Sequence, residues 1–209
     1  MVRVLLAILL AVAAPAVHAT KAGTNAAKAS LLTKADLGKG WTGKASTQTG
    51  ATFSCKGFDP SGTGITRIGG ATSDTFSYGT GGIGPFLLQK TSVYATTKQA
   101  NAYWARAVTP KLLSCAVQTL ESVSAQGVKV TITSSRELSF QTTLPHTAEY
   151  RVVGELGPNK IKNYLDVIVL GDGSAITEIT ISSFESAPPA TFEQTVAHQV
   201  IRRLGGTAD

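Results

Sequence analysis

The stretch from residue 128 to residue 184 constrains the fold of this chain more than any other part of its sequence. Apolar and polar residues alternate there in successive runs, which cover 128–133, 148–156, 164–170 and 175–184. Alternation with a period of two puts one face of a strand in the core and the other toward solvent. Gly171-Asp172-Gly173 separates the last two runs, and Asp-Gly between apolar runs is a strong hairpin signal. The pattern predicts about four antiparallel strands joined by short turns.

Helical patterns precede and follow these strands. Residues 71–78 and 85–95 predict a β-hairpin around a glycine cluster, and the apolar period then changes to 3.6 at Thr96. The resulting long helix restarts at Pro110, because the first turn of a helix tolerates proline. A last amphipathic helix follows Pro188. Since amphipathic helices bury their apolar faces against a sheet, we predict an α+β fold, a single-domain antiparallel β-sheet flanked by amphipathic helices.

The N-terminus has the features of a cleavable signal peptide. Arg3 supplies a positive start, residues 4–14 form an apolar run, and Val17-His18-Ala19 offers modest side chains where a signal peptidase reads them. The apolar run is about half of the roughly twenty residues that span a bilayer. We therefore predict a signal peptide over 1–19, no integral membrane segment after cleavage, and a secreted, extracytoplasmic product.

The exported part divides into three regions. Residues 20–29 are rich in Ala, Lys and Gly without a hydrophobic period, which predicts a flexible linker. Residues 30–204 carry the strand and helix patterns and predict one domain, followed by a short tail over 205–209. A domain of this length has enough volume for a hydrophobic core. We expect it to be a monomer.

The basic residues are dispersed along the chain. Lys and Arg number 19 against 13 Asp and Glu, for a net charge of +6, and only Arg3 among them lies in the predicted signal peptide. Nucleic-acid-binding proteins concentrate such charge on one stripe or patch, whereas the lysines here stand singly among Ala, Gly and Thr. We expect no nucleic-acid partner. Weak attraction to an anionic cell envelope stays open.

Cys55 and Cys115 are the two cysteines of the chain. A cysteine pair in an exported protein most simply forms one disulfide, and closing a loop of about sixty residues stabilises the fold by about 4 kcal/mol in the chain-entropy model. The alternative is a redox or metal pair. Neither cysteine belongs to a C-x-x-C motif, and the histidines lack metal-ligand spacing, so the disulfide is favoured.

Several motifs together resemble one protein family. The segment Leu31–Trp41, LLTKADLGKGW, is similar to the LLT-x-x-DL-x-x-GW opening of actinobacterial extracytoplasmic sensor-like domains of the PknH extracellular-domain type. The Cys55-Lys56-Gly57 block, the strand and helix over 93–115 and the last helix over 197–204 resemble that family too. The resemblance covers residues 30–204. It implies an antiparallel sheet flanked by helices, around a cleft that holds a ligand.

The chain also departs from that family. Domains of the PknH type carry two disulfides, whereas this sequence allows one. It lacks a kinase domain, a transmembrane helix and a lipid-anchor cysteine, so the resemblance implies a binding module without signalling through a membrane. A Mog1/PsbP-like sandwich has a similar order of elements and is the related alternative.

Motifs for catalysis are absent from the sequence. The glycine run over 79–84 matches G-x-G-x-x-G, but a strand pattern follows it where a dinucleotide site needs a helix. His146 and His198 read as solvated residues, and no nucleophile elbow accompanies them. Glu149 and Glu155 lie too far apart along one strand for a glycosidase pair. We predict no catalytic residues, no metal and no cofactor.

Aromatic residues remain as candidates for ligand contact. Tyr103 and Trp104 fall on the apolar face of the long helix and read as core residues, whereas Trp41 follows a glycine and is the tentative aromatic of a cleft. The leading hypothesis is a secreted, non-enzymatic sensor-like module that binds a small or envelope-derived ligand. The alternatives are a secreted hydrolase with an unconventional site and a basic, envelope-associated structural protein.

Overall fold

The computed structural model describes residues 18–46, 55–60, 63–79, 84–122 and 129–205. The helices in these ranges are α1 (Lys21–Ala29), α2 (Lys34–Leu37), α3 (Thr97–Ala107), α4 (Pro110–Ser122) and α5 (Ala190–Leu204). The strands are β1 (Trp41–Lys44), β2 (Arg67–Thr72), β3 (Thr75–Tyr78), β4 (Phe86–Tyr94), β5 (Val130–Leu138), β6 (His146–Leu156), β7 (Ile161–Asp172) and β8 (Ala175–Phe184).

All eight of these strands belong to one antiparallel sheet. Its order is β1-β3-β4-β8-β7-β6-β5, and β2 pairs with β4 alongside β3. The predicted turn between the last two strands is present, because Asp172 pairs with Ala175 and Gly173 takes the left-handed conformation at φ +53° that favours glycine. The predicted α+β fold is confirmed.

Helices cover both faces of the sheet. Helices α3 and α4 pack on one face, which we call the α3/α4 face, against alternate residues of β6 and β7 such as Val152 and Val167. Helix α5 packs on the other, the α5 face, against Ile168, Leu170 and Ile181. Because β7 sends successive side chains to opposite cores, its centre is apolar without a break from Val167 to Leu170.

The linker predicted over 20–29 is wrong, because Lys21–Ala29 forms helix α1. Thr20 caps this helix with its hydroxyl, which accepts a hydrogen bond from the Gly23 N–H at 3.0 Å. Gly23 and Gly69 let the helix and β2 touch backbone to backbone, since a Cβ on Gly69 would lie 2.1 Å from the Gly23 carbonyl carbon. The glycines in this region suggested a flexible linker, but in the structure they permit close packing of α1 on β2.

Both ends of the chain extend past the described residues. The predicted signal peptide lies outside them except for His18 and Ala19, and the predicted tail except for Gly205, so both stay predictions. Within the ranges that the structure describes, no helix has the length and apolar character needed to cross a membrane.

Candidate functional site

A cavity of about 30 Å³ lies between the sheet and the junction of α3 with α4. This volume is room for about two water molecules. Its walls come from β4, β7, β8 and the two helices: Lys90, Ser92, Tyr94, Tyr103, Ala107, Val108, Leu112, Val169, Ile176 and Glu178. Ser92, Val108 and Glu178 are half-buried, so the cavity reaches the surface beside them.

The break between the two helices roofs the cavity. Helix α3 ends at Ala107, and Val108 leaves the helical conformation with φ −87° and ψ 80° before Pro110 starts α4. The break places Val108 and Leu112 over the strands, where they face Val169 and Ile176. These four side chains form the apolar wall.

The other wall carries opposite charges on neighbouring strands. Lys90 and Glu178 are direct partners in the β4–β8 ladder. Lys90 is only 6% exposed, and its ammonium forms no hydrogen bond or ion pair with any residue that the structure describes. Glu178 Oε1 accepts a hydrogen bond from the Thr180 hydroxyl at 3.3 Å. Burial raises the pKa of Glu178, and the nearby Lys90 charge opposes this shift.

Tyr94 adds a second unsatisfied group to this wall. Its side chain is fully buried and stacks on Tyr103 with the ring centroids 5.0 Å apart. The Tyr94 hydroxyl is buried without a hydrogen-bond partner among the described residues. Burial raises the pKa of Tyr94, and the positive charge of Arg67, its partner in the β2–β4 ladder, opposes the shift. The cavity therefore joins an apolar wall to a polar wall on which the Tyr94 hydroxyl has no hydrogen-bond partner among the described residues.

A second polar cluster lies on the α5 face of the sheet. Arg151 binds Asp166 through two bonds, Nε to Oδ1 at 2.6 Å and Nη2 to Oδ2 at 2.8 Å. The same Nη2 donates to Glu193 Oε1 of α5 at 3.0 Å. Glu149 completes the cluster, 2% exposed, with Oε1 unbonded. The cluster thus holds three carboxyl groups around one guanidinium.

Proton binding balances this excess of acids. Burial, together with the Asp166 charge, raises the pKa of Glu149 to about 7. Burial, a hydrogen bond to Asp166 and the charges of Asp166 and Glu149 raise the pKa of Glu193 to about 9. Glu193 therefore keeps its proton at neutral pH and donates it in a hydrogen bond to Asp166. The cluster fastens α5 to the sheet.

The structure places the sequence-predicted residues apart from the cavity. Trp41 is buried on the α5 face, where its ring stacks on Phe192 with centroids 5.4 Å apart, and it does not line the cavity. The His146 ring stacks on Trp104, and its Nε2 lies 2.9 Å from the Asn101 amide oxygen, neither a serine nor a carboxylate. His198 is exposed.

The disulfide prediction is confirmed. Cys55 and Cys115 are bonded, with their Cα atoms 5.6 Å apart, and the bond joins the segment before β2 to α4. Disulfides of this kind are typical of oxidising, extracytoplasmic compartments. In the described part of the chain, no group of three or more His, Cys, Asp or Glu side chains is placed to hold a metal ion.

Sequence reasoning missed the charged residues that matter most. Lys90 and Glu178 lie inside runs correctly predicted as strands, and neither was singled out as a site residue. A charged residue within an apolar strand indicates a special environment for that residue. Its partner, however, is determined by the register between β4 and β8. That register pairs residues 88 positions apart, which no local pattern reveals.

Comparison with known proteins supports the fold. No protein-family model matches the chain, and no curated protein matches it. Among solved structures, it is similar to the extracellular domain of PknH from Mycobacterium tuberculosis, with a TM-score of 0.52 at 12% sequence identity. The match covers 87% of this chain and 95% of that domain. The chain therefore shares the fold of that domain, in agreement with the resemblance found in its sequence motifs.

Proposed function

We propose that this chain is a secreted, non-enzymatic sensor-like module that binds a small or envelope-derived ligand in the cavity beneath the α3–α4 break. One observation carries the proposal. The Tyr94 hydroxyl is buried beside an open space without a hydrogen-bond partner among the described residues, and Lys90, a charged residue that is only 6% exposed, lines the same space. Buried polar groups are normally hydrogen-bonded, because losing water without replacement costs about 1–3 kcal/mol in proteins.

The shape of the cavity agrees with this function. Ligand sites combine apolar walls with a few convergent polar groups, and this cavity has both. Its volume of about 30 Å³ accommodates the head of a small molecule, while the half-buried rim at Ser92 and Val108 lets the remainder extend outward. The similarity to an extracellular domain supports a role outside the cytoplasm.

A thermal-shift screen with lipids, glycans and cell-wall fragments tests the proposal. Ala107 lines the cavity, so Ala107→Leu fills it, whereas Ala105→Leu adds the same side chain on the exposed face of α3. A ligand of this site raises the melting temperature of the native chain and of Ala105→Leu, but not of Ala107→Leu. If no class of compound stabilises the folded protein, or if Ala107→Leu responds as strongly as the control, the proposal fails.

A further inference from the structure

The two ends of α5 are attached in different ways. At the C-terminal end, Arg203 binds Asp36 of α2 at 2.7 Å, and Gly205 ends the helix in the left-handed conformation. At the N-terminal end, the N-cap residue Pro189 provides no side-chain hydrogen bond. In the part of the chain that the structure describes, Glu193 makes the side-chain hydrogen bonds that join this end to the sheet.

The attachment through Glu193 depends on a proton. Glu193, Glu149 and Asp166 are each 2% exposed or less, and they surround one cation. That cation, Arg151, forms a bidentate pair with Asp166, so the other two carboxyl groups are in excess and burial disfavours their charged forms. Hydrogen bonds link Glu193 to both Asp166 and Glu149, and a bond between two carboxyl groups needs a proton on one of them. These bonds to the helix are therefore lost when the protons leave.

We infer that this cluster is a pH-dependent switch that docks the N-terminal half of α5, residues 190–196, on the sheet. Ionisation of Glu193 replaces a hydrogen bond by repulsion between buried carboxylates, which releases this half of the helix. The pair of Arg203 with Asp36 holds the other half, because both groups stay charged as pH rises. Release uncovers the apolar surface beneath Phe192, whose ring stacks on Trp41. The switch is independent of the proposed ligand cavity, which lies on the opposite face.

The pKa values support release at high pH. Burial, a hydrogen bond to Asp166 and the neighbouring charges raise the pKa of Glu193 from 4.5 to about 9. A group that is protonated in the docked helix and ionised in the released one makes release about tenfold more favourable for each pH unit between these values. Glu149, with its pKa raised to about 7, adds to the effect only at lower pH. The pH dependence between 7 and 9 therefore belongs to Glu193.

Other charged and titratable groups lie on this face of the sheet. Arg136 of β5 is the ladder partner of Arg151, and Tyr164 lies on the same face of β7 as the cluster. The residues that β8 directs to this face are not titratable. A substitution at Glu193 leaves Arg136 and Tyr164 in place, so any pH effect that they cause persists in the variant.

Hydrogen exchange of backbone amides tests the switch. Glu193→Gln keeps an acceptor for Arg151 and a donor for Asp166 but cannot ionise. Glu185→Gln makes the same change at an exposed position before α5 and is the control. After correction for the intrinsic effect of pH on exchange, the opening constant of amides 194–196 should rise about tenfold per pH unit between about pH 7 and about pH 9 in the native chain and in the control. In Glu193→Gln it should stay constant.

Amides in the centre of β7, at Val167 and Val169, report unfolding of the whole domain. They should exchange much more slowly than amides 194–196, because release of the helix end leaves the sheet intact. An opening constant of the native chain that does not change with pH overturns the inference. So does a rise in Glu193→Gln that matches the native chain, or equal opening constants in β7 and at 194–196. None of these results bears on the proposed ligand cavity.

Discussion

The two faces of the sheet bury charged residues in opposite ways. On the α5 face, Arg151 makes three bonds to the carboxyl groups of Asp166 and Glu193 at 2.6–3.0 Å, and protonation of Glu193 reduces the excess of negative charge. On the α3/α4 face, the buried Tyr94 hydroxyl has no hydrogen-bond partner among the described residues, and Lys90 lines the same cavity without an ion pair to any of them. This difference shows that a buried charged residue is not by itself evidence of a functional site. What distinguishes a binding site is unused bonding capacity beside open space.

Removing the central cation should have the largest effect. Arg151→Met leaves three buried carboxyl groups without a counter-charge, and breaking a buried pair in this way costs about 3–5 kcal/mol of stability. Urea unfolding measures the loss. Arg136, the neighbour of Arg151 on β5, is exposed, so Arg136→Met is the control and should change stability by less than about 0.5 kcal/mol. Equal stability of the two variants would show that the polar cluster around Arg151 does not stabilise the fold.

The same cluster should make stability depend on pH. The pKa values of Glu149 and Glu193 are raised from 4.5 to about 7 and about 9. A folded state that holds a proton more tightly than the unfolded chain is favoured at low pH, so this stabilisation is complete below 4.5 and lost as pH rises through 7 and 9.

Glu193→Gln isolates the upper part of this pH dependence. Glutamine keeps an acceptor for Arg151 and a donor for Asp166 but cannot ionise. The variant should be more stable than the native chain at about pH 9.5 by several kcal/mol, since each unit of the pKa shift corresponds to about 1.4 kcal/mol, and within about 1 kcal/mol of it at about pH 5. Urea unfolding at both pH values checks this. A native chain whose stability is flat from pH 5 to about pH 9.5 would contradict the prediction.

Lys90→Met should have a much smaller effect than Arg151→Met. The Lys90 ammonium forms no ion pair within the described residues, so an apolar side chain of similar length should change the free energy of unfolding by less than about 1 kcal/mol. Thermal unfolding measures this in the absence of ligand. A clear loss of stability would mean that Lys90 supports the fold as Arg151 does, and the contrast between the two faces would collapse.

Tyr94→Phe should have the smallest effect on stability. Because the hydroxyl has no hydrogen-bond partner within the described residues, its removal should change the unfolding free energy by less than about 0.5 kcal/mol. The variant should nevertheless weaken binding of a ligand that the thermal-shift screen finds in the cavity. A loss above 1.5 kcal/mol in urea unfolding would show that the hydroxyl is already satisfied in the free protein.

Local patterns in the sequence predicted much of the fold. The two-residue period located β6, β7 and β8, and the 3.6-residue period located α3, α4 and α5, because burial of one face dictates both. Helix α1 was missed, because it packs on β2 through direct backbone contact at Gly23 and Gly69. Such a contact leaves no hydrophobic period in the sequence.

Neither polar cluster was predictable from local patterns. Asp166 lies within an apolar strand, and Glu193 lies on the buried side of a helix that begins after two prolines. Their meeting with Arg151 requires the register of β6 with β7 and the docking of α5. Lys90 and Glu178 likewise become neighbours only through the β4–β8 register. The spacing of apolar residues along the chain predicts which face of a strand or helix is buried. The two polar clusters depend instead on which strands and helices pack against each other.

The disulfide between Cys55 and Cys115 has a mechanical consequence for the cavity. Cys115 lies one turn after Leu112 on α4, so this wall is anchored covalently to the segment before β2. Helix α3 is held by non-covalent contacts only, among them the ring of Trp104 on His146. If a ligand widens the cavity, α4 is therefore held in place by the disulfide, whereas α3 is free to move. We expect α3 to swing about Val108 while α4 stays in place.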